Sequence, residues 1–282
     1  MMLRKRDSGY AMLAAILGIA AFSYVSFEAL AENRGVISAV QAESERAKLS
    51  AACDAGLALV ASGLGAKDRK QIWPIDSTKR TFMFGDIALA IVVEDERGKI
   101  PLNGVNEDQV RGLFRAAGIS GSRLSTLVDS YEDWIDPDNE RRLSGAEAKD
   151  YASFGYKPRN GGFHTPAELR MVKGMDDNLY AQVAPSITVF FGESGGFSET
   201  TSQILALEAL SEVAPNSPEV IEREKEIAGL VPPHNSGLSP FMPGRIVTVR
   251  VEAKRAGADM KRAMVVELTG NPADPLWRRY LD

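Results

Sequence analysis

The strongest constraint on this chain is the run from Tyr10 to Leu30, YAMLAAILGIAAFSYVSFEAL, which carries a single charge, Glu28, near its far end. About 20 apolar residues are enough to cross the hydrocarbon core of a bilayer, so the run reads as a membrane-spanning helix. A cleaved secretory signal would have a shorter apolar region, about 7 to 15 residues, closed by a small-x-small site. Here the run passes without proline or a turn cluster into Ile37 to Leu64, where Val40, Ala47, Leu49, Ala51, Ala55, Ala58 and Leu59 continue a helical pattern. The expectation is one helix of more than fifty residues whose first half suits lipid and whose second half suits a protein surface. Arg4, Lys5 and Arg6 precede the run, whereas Glu32, Arg34, Glu43, Glu45 and Arg46 follow it. That basic excess predicts a cytoplasmic N-terminus and places the rest of the chain on the opposite side.

The 282 residues leave room for two folded units besides the anchor. Hydrophobic content of 44% with 25% charged residues is that of an ordinary globular protein and not of a disordered one. A formal net charge of -5 gives no general attraction for phosphates or anionic lipid. The one cysteine, Cys53, excludes an intramolecular disulfide and a cysteine-based zinc cluster, and buried packing is its expected role. Ser50-Ala51-Ala52-Cys53 resembles a lipoprotein box, but it lies too far beyond the apolar run to be read as one.

Beyond the polar connection Ile72-Trp73-Pro74-Ile75, Thr81 to Phe84 and Asp86 to Glu94 are strand-like around Gly85. Ile87, Leu89, Ile91 and Val93 alternate and so share one sheet face. Near the C-terminus Val247, Val249, Val251 and Ala253 alternate, as do Met264, Val266 and Leu268 after a turn at Gly257-Ala258-Asp259. These read as an antiparallel hairpin with one buried face. The roughly 150 residues between the strand regions are helical in character, with helix starts at Thr165-Pro166-Ala167-Glu168 and Ser217-Pro218. The expected fold class is α+β, a helical domain inserted between strands of a small antiparallel sheet covered by the long N-terminal helix.

Several motifs carry possible chemistry. Gly192-Glu193-Ser194-Gly195-Gly196 fits the G-x-S-x-G pattern of a serine hydrolase, but no Asp lies between Ser194 and His234 and the strands are not of the parallel type that pattern needs. Thr165 to Val189 resembles half of a helix-hairpin-helix unit. Residues 101–190, however, hold 10 Lys plus Arg against 13 Asp plus Glu, the reverse of a phosphate-binding face. The best constellation is Asp133, Asp136, Asp138, Glu140 and Glu147. Oxygen ligands at alternate positions followed by a glutamate about twelve on suit a hard cation such as calcium, although Arg141 stands where an EF-hand loop needs glycine. A solvated acidic loop fits the same residues. His164 and His234 have no second histidine or cysteine nearby and read as loop residues. Trp134, Tyr151, Phe154 and Tyr156 read as core aromatics.

Two stretches resemble a known family. Basic residues, then Ser8-Gly9, then Tyr10 and the apolar run resemble the prepilin peptidase signal of type IV pilins and type II secretion pseudopilins. Gly98-Lys99-Ile100-Pro101-Leu102-Asn103, Asp129 to Asp138 (DSYEDWIDPD), Ser144-Gly145-Ala146-Glu147 with Tyr151, and Pro166-Ala167-Glu168-Leu169 with Val172-Lys173-Gly174 follow the order of the type II secretion K subunit. The chain thus resembles the minor pseudopilin K family. The resemblance implies a leader at 1–9 cut between Gly9 and Tyr10, with methylation of the new Tyr10 amine. It implies a transmembrane part at 10–30, the remaining helix and first strands of a pilin-like domain at 31–104, an inserted helical domain at 105–240, and closing strands at 241–282. It further implies a place at the pseudopilus tip with the minor pseudopilins I, J and H, dealings with the prepilin peptidase and the inner-membrane assembly platform, and calcium in the helical domain. Ala14 stands at the fifth mature position, where most pseudopilins carry glutamate and the K subunit does not.

Overall fold

The computed structural model describes residues 8–66, 68, 71–190, 196–211, 216–232, 243–271 and 273–281. The chain divides into two compact units, Met1–Ala51 and Ala52–Asp282. One helix, α1 (Ser8–Leu64), supplies the first unit and the opening of the second, and its 57 residues bear out the single long helix expected from the sequence.

In the first unit, the side chains of Met12, Ile16, Leu17, Ile19, Phe22 and Phe27 are exposed apolar surface on the apolar stretch Met12–Glu28. Among the described residues, the stretch long and apolar enough to cross a membrane by length and composition alone is Ser38–Leu64, and it is partly buried. Its last turns belong to the core of the second unit, where Ala52, Cys53, Leu57, Val60 and Leu64 are buried.

The second unit is built on a five-stranded sheet in the order β1-β2-β5-β6-β7, antiparallel throughout. β1 (Arg80–Phe84) and β2 (Ile87–Asp95) form the first hairpin. β5 (Ile246–Arg255), β6 (Ala258–Asn271) and β7 (Asp274–Leu281) complete the sheet. Ile87, Leu89, Ile91 and Val93 on β2 and Val247, Val249, Val251 and Ala253 on β5 are all buried, as their period-two spacing requires. The end of α1 lies on this face so closely that a methyl added to Gly56 would stand 2.9 Å from Val251 Cγ1. Asp54 pairs with Arg262 at 2.5 Å on the rim of the contact. The sequence placed the β5–β6 turn one residue late. It is Ala256-Gly257, with φ of +48° and +85°, the pair of left-handed residues that a type I′ two-residue hairpin needs.

Between the adjacent strands β2 and β5 the chain leaves the sheet and builds a helical insertion. This holds β3 (Ile100–Pro101), α2 (Glu107–Ala116), α3 (Gly121–Ile135), α4 (Ala148–Tyr151), α5 (Asp177–Val183), β4 (Ile187–Thr188), α6 (Ile204–Leu210) and α7 (Pro218–Ile227). Both helix starts read from the sequence are capped: the Ser217 hydroxyl accepts from Val220 N at 3.3 Å on α7, and Glu168 accepts from Thr165 N at 3.1 Å, although the turn it opens, Pro166–Met171, is 3-10 and not α. Asn106 and Gln109 close a further reciprocal box on α2. Leu113, Phe114, Leu127, Val128, Tyr131 and Leu169 lie at the centre of its core. The strand expected over Ser186 to Phe191 shrinks to Ile187–Thr188, paired in parallel with Ile100–Pro101. Gly192 to Gly195 and His234 lie outside the described residues.

Where the insertion meets the sheet, the polar run Glu94-Asp95-Glu96-Arg97-Gly98-Lys99 is buried. Lys99 Nζ donates to Glu94 at 2.6 Å and Glu96 at 2.7 Å. Asp95 accepts from Arg97 at 2.8 Å and from Arg245 at 2.9 Å, and the Thr201 hydroxyl adds a longer contact at 3.3 Å. Asp95 and Arg97 open the insertion and Arg245 precedes β5, so one carboxylate ties its two ends together. Burying this many charges is costly unless each is paired, and here each carboxylate has its cation.

Candidate metal centre

Of the five acidic residues singled out in the sequence, the structure brings Asp136, Asp138 and Glu147 together, one carboxylate oxygen of each within 4.8 Å of the others. Local structure explains the convergence. Asp136 is the C-cap of α3, its N–H bonded to Glu132 O at 3.0 Å, with Pro137 next in the chain to stop the helix. Asp138 turns the loop back by accepting from Glu140 N at 2.7 Å. Glu147 is the N-cap of α4, its own N–H held by the Asp150 carboxylate at 3.0 Å.

The electrostatics are those of three like charges in one place. Burial pushes the Glu147 carboxyl up from its ordinary range, and Asp133 and Asp136 push it further. Burial and then Asp138 do the same to Asp136. Glu147 is 5% exposed, and both its carboxylate oxygens, with Oδ1 of Asp136, are buried and have no hydrogen-bond partner. Arg142, whose charge partly offsets the push on Asp136, is hydrogen-bonded to Glu107 on α2 at 3.0 Å. The C-terminal end of α3 adds its partial negative charge at Asp136.

These residues fit a hard divalent cation. Calcium takes oxygen ligands at about 2.3 to 2.6 Å, which sets two ligands on one ion no more than about 5 Å apart. The three carboxylates meet that limit, and a cation would satisfy the buried oxygens that nothing in the chain satisfies.

The other two sequence candidates sit differently. Asp133 is fully buried, and its carboxylate accepts from Arg142 N at 3.2 Å. Glu140 is exposed and its main chain serves the Asp138 turn. Trp134, one turn before the cluster, is 2% exposed and meets Tyr151 edge-on at 5.5 Å. Phe154, expected in the core, is 70% exposed and leans on Tyr156 at 5.9 Å, because the short 3-10 turn after α4 ends at left-handed Gly155 and leaves the ring outside. His164 is exposed on a loop, 3.4 Å from Arg159. Sequence reasoning missed Asp129, whose carboxylate accepts from Ser144 N at 2.9 Å; its four-residue spacing from Asp133 on α3 is the signal that could have found it.

The architecture is an α+β fold in which a helical domain is inserted between adjacent strands of an antiparallel sheet. Residues 90–192, which contain the whole acidic cluster, match the family model described as type II secretion system protein K. It is similar to the type II secretion system protein K of Dickeya chrysanthemi, 34% identical over 79 residues, 28% of this chain and 22% of that one. The corresponding protein of Pectobacterium carotovorum is 21% identical over 191 residues, covering 60% of this chain and 58% of that one. That of Klebsiella pneumoniae is 27% identical over 130 residues, with 41% and 40% covered. The chain therefore spans less than two thirds of these relatives' length. Among solved structures, its fold matches a chain in the crystal structure of the GspK-GspI-GspJ complex from the enterotoxigenic Escherichia coli type 2 secretion system. The TM-score is 0.57 at 16% identity, and the match covers 86% of this chain and 98% of that chain.

Proposed function

We propose that this chain is a minor pseudopilin of a type II secretion system, a structural subunit and not an enzyme, which sits at the tip of the pseudopilus and is needed for its assembly and for export of folded proteins. The observation that carries this reading is the match of residues 90–192 to the protein K family model, in a chain whose sheet is covered by a helix that continues N-terminally into exposed apolar surface. The apolar stretch anchors the chain once in the inner membrane, with the N-terminus cytoplasmic and the sheet and insertion periplasmic. The prepilin peptidase cuts between Gly9 and Tyr10 and the Tyr10 amine is methylated. Partners are the minor pseudopilins I, J and H and the inner-membrane assembly platform; the match to a chain from a complex of K, I and J supports two of these. Asp136, Asp138 and Glu147 bind calcium, which ties the end of α3 to the start of α4.

The test is the mature N-terminus. Mass spectrometry of the chain expressed with its peptidase is expected to find methylated Tyr10, and Gly9→Leu is expected to leave the leader attached. A wild-type chain that keeps residues 1–9 in the presence of an active peptidase refutes the pseudopilin reading, and labelling of Ser194 by an active-site serine probe replaces it with a hydrolase.

A further inference from the structure

The loop that delivers Glu147 is held by main-chain hydrogen bonds to α3, on the face next to the acidic cluster. Asp129 and Asp133 stand one turn apart on that helix. Asp129 Oδ2 accepts from Ser144 N at 2.9 Å, and both oxygens of Asp133 accept from Arg142 N, at 3.2 and 3.3 Å. The Ala146 amide also favours the Asp133 carboxylate, against the burial that pushes its carboxyl up. Residues 142–146 thus lie as a strap over two carboxylates, and Glu147 is the next residue. From the other side Lys173 Nζ donates to Gly145 O at 3.3 Å.

Gly145 shows how close the strap lies. A Cβ built there would overlap the Asp133 carboxylate, and it would stand 3.1 Å from Asp129 O. Its φ is not in the left-handed region, so glycine is required here by space and not by backbone conformation. The Asp133 carboxylate, at full burial, is turned to the main-chain amides of the strap. The two oxygens of Glu147, by contrast, are buried and have no partner.

We propose that Asp129 and Asp133 are positioning residues for the cation centre: they clamp the 142–146 strap to α3 and so fix the Glu147 carboxylate opposite Asp136 and Asp138, while Gly145 leaves the room the clamp needs. The inference rests on the metal reading of Asp136, Asp138 and Glu147, but the clamp itself exists with or without the ion. It divides the acidic run by role, with 129 and 133 serving the backbone and 136, 138 and 147 facing the cation. Groups that orient metal ligands without touching the metal commonly change affinity by about 10- to 100-fold when lost.

The experiment uses the full chain in detergent, chelated and then titrated with calcium, with amide hydrogen exchange as a second readout. Asp133→Asn, Asp129→Asn, Gly145→Ala and Glu147→Gln are compared with wild type. In the chelated protein, the two aspartate variants and Gly145→Ala are expected to speed exchange across 142–146, whereas Glu147→Gln leaves it protected. On titration, the Asp133→Asn chain is expected to take up one ion per chain with affinity reduced about 10- to 100-fold. The two sites are also coupled: once Asp133→Ala has removed the carboxylate, adding Gly145→Ala costs far less protection than it does alone. Unchanged exchange at 142–146 in Asp133→Asn, or additive effects in the Asp133→Ala, Gly145→Ala pair, overturns the clamp. A wild-type chain that takes up no calcium but shows the expected exchange pattern overturns the metal reading and, with it, the role toward the ion, while the strap contacts stand.

Discussion

Replacing Asp95 by alanine tests how much of the molecule hangs on one buried carboxylate. Its side chain is 0% exposed, and those of its partners Arg97 and Arg245 are 10% and 4% exposed. Burial pushes the Asp95 carboxyl up, but hydrogen bonds from Arg97 and the charges of Arg245 and Arg97 outweigh it and hold it below the usual carboxylate range. Asp95→Ala leaves the buried Arg245 guanidinium without its counterion and takes the paired carboxylate from Arg97. Breaking a buried pair from one side costs about 3 to 5 kcal/mol. Against a total stability of about 5 to 15 kcal/mol, that is about a fifth or more for a typical fold. The Arg245→Met single variant is expected to cost less, because Asp95 keeps Arg97, and the double variant should recover part of the loss through a coupling of about 0.5 to 3 kcal/mol. The pH dependence has a definite sign. A depressed folded-state pKa means the stabilisation is fully present above the unfolded carboxylate value of about 3.9 and is lost as pH falls through the lower folded value. Urea unfolding of the chain in detergent, followed by near-ultraviolet circular dichroism from pH 7 down to pH 3, reads both effects. A loss under about 1 kcal/mol at pH 7, the range of an exposed pair, would refute the clasp between the two ends of the insertion.

Chelation is expected to lower the melting temperature. A ligand bound only to the folded form stabilises by about 2.7 kcal/mol at a hundredfold excess over Kd, about 5 to 10 °C for a domain of this size, and calorimetry with and without chelator on protein shown to contain calcium measures it. Ala256→Asn gives the β5–β6 turn the Asn-Gly pair its left-handed backbone favours and should add about 0.5 to 1 kcal/mol in urea titration; a destabilised variant would deny that turn conformation. Ala14→Glu places a carboxylate in the apolar helix and should leave assembly unchanged or harm it, since a tip subunit offers no amine above to pair with it; faster pseudopilus assembly in a secretion assay would argue for a position within the shaft.

The parts of the fold that could be read in advance are those where local pattern and burial agree. Ile87, Leu89, Ile91 and Val93, and the matching alternation on β5, have one buried face and so a period-two signature. β7 left no such trace. Trp277, Arg278, Arg279 and Tyr280 are all exposed on an edge strand, and a strand with no buried face has no reason to alternate. The run from Glu94 to Lys99 reads as a solvated turn, yet it is buried, because partners such as Arg245, Thr248 and Arg250 come from some 150 positions away. In the cluster, carboxylate spacing could not separate the carboxylates that converge from those that the main chain holds. That distinction depends on which oxygens the backbone amides of Arg142 and Ser144 occupy.

The order in which the sheet can form follows from where the insertion sits. Asp95 pairs with Val247 and Ala88 with Lys254, so the central strand pair closes a loop of about 150 residues, whereas its neighbours, β1 with β2 and β5 with β6, are joined by two-residue turns. Loop-closure entropy rises by about 0.6 kcal/mol per doubling, or about 4 kcal/mol for the six or so doublings that separate the two cases. Two local hairpins therefore come early and are marginal alone, and the seam between them waits for the helices. Once Ile100 has found Ile187, the loop left to close is about 65 residues, little more than one halving, which lowers the cost by only about 0.7 kcal/mol. A nascent chain that stops anywhere inside the helical region holds a hairpin with no partner, its edge open to whatever strand is nearby. In such a chain the hazard of misassembly lasts until residue 255 has been made.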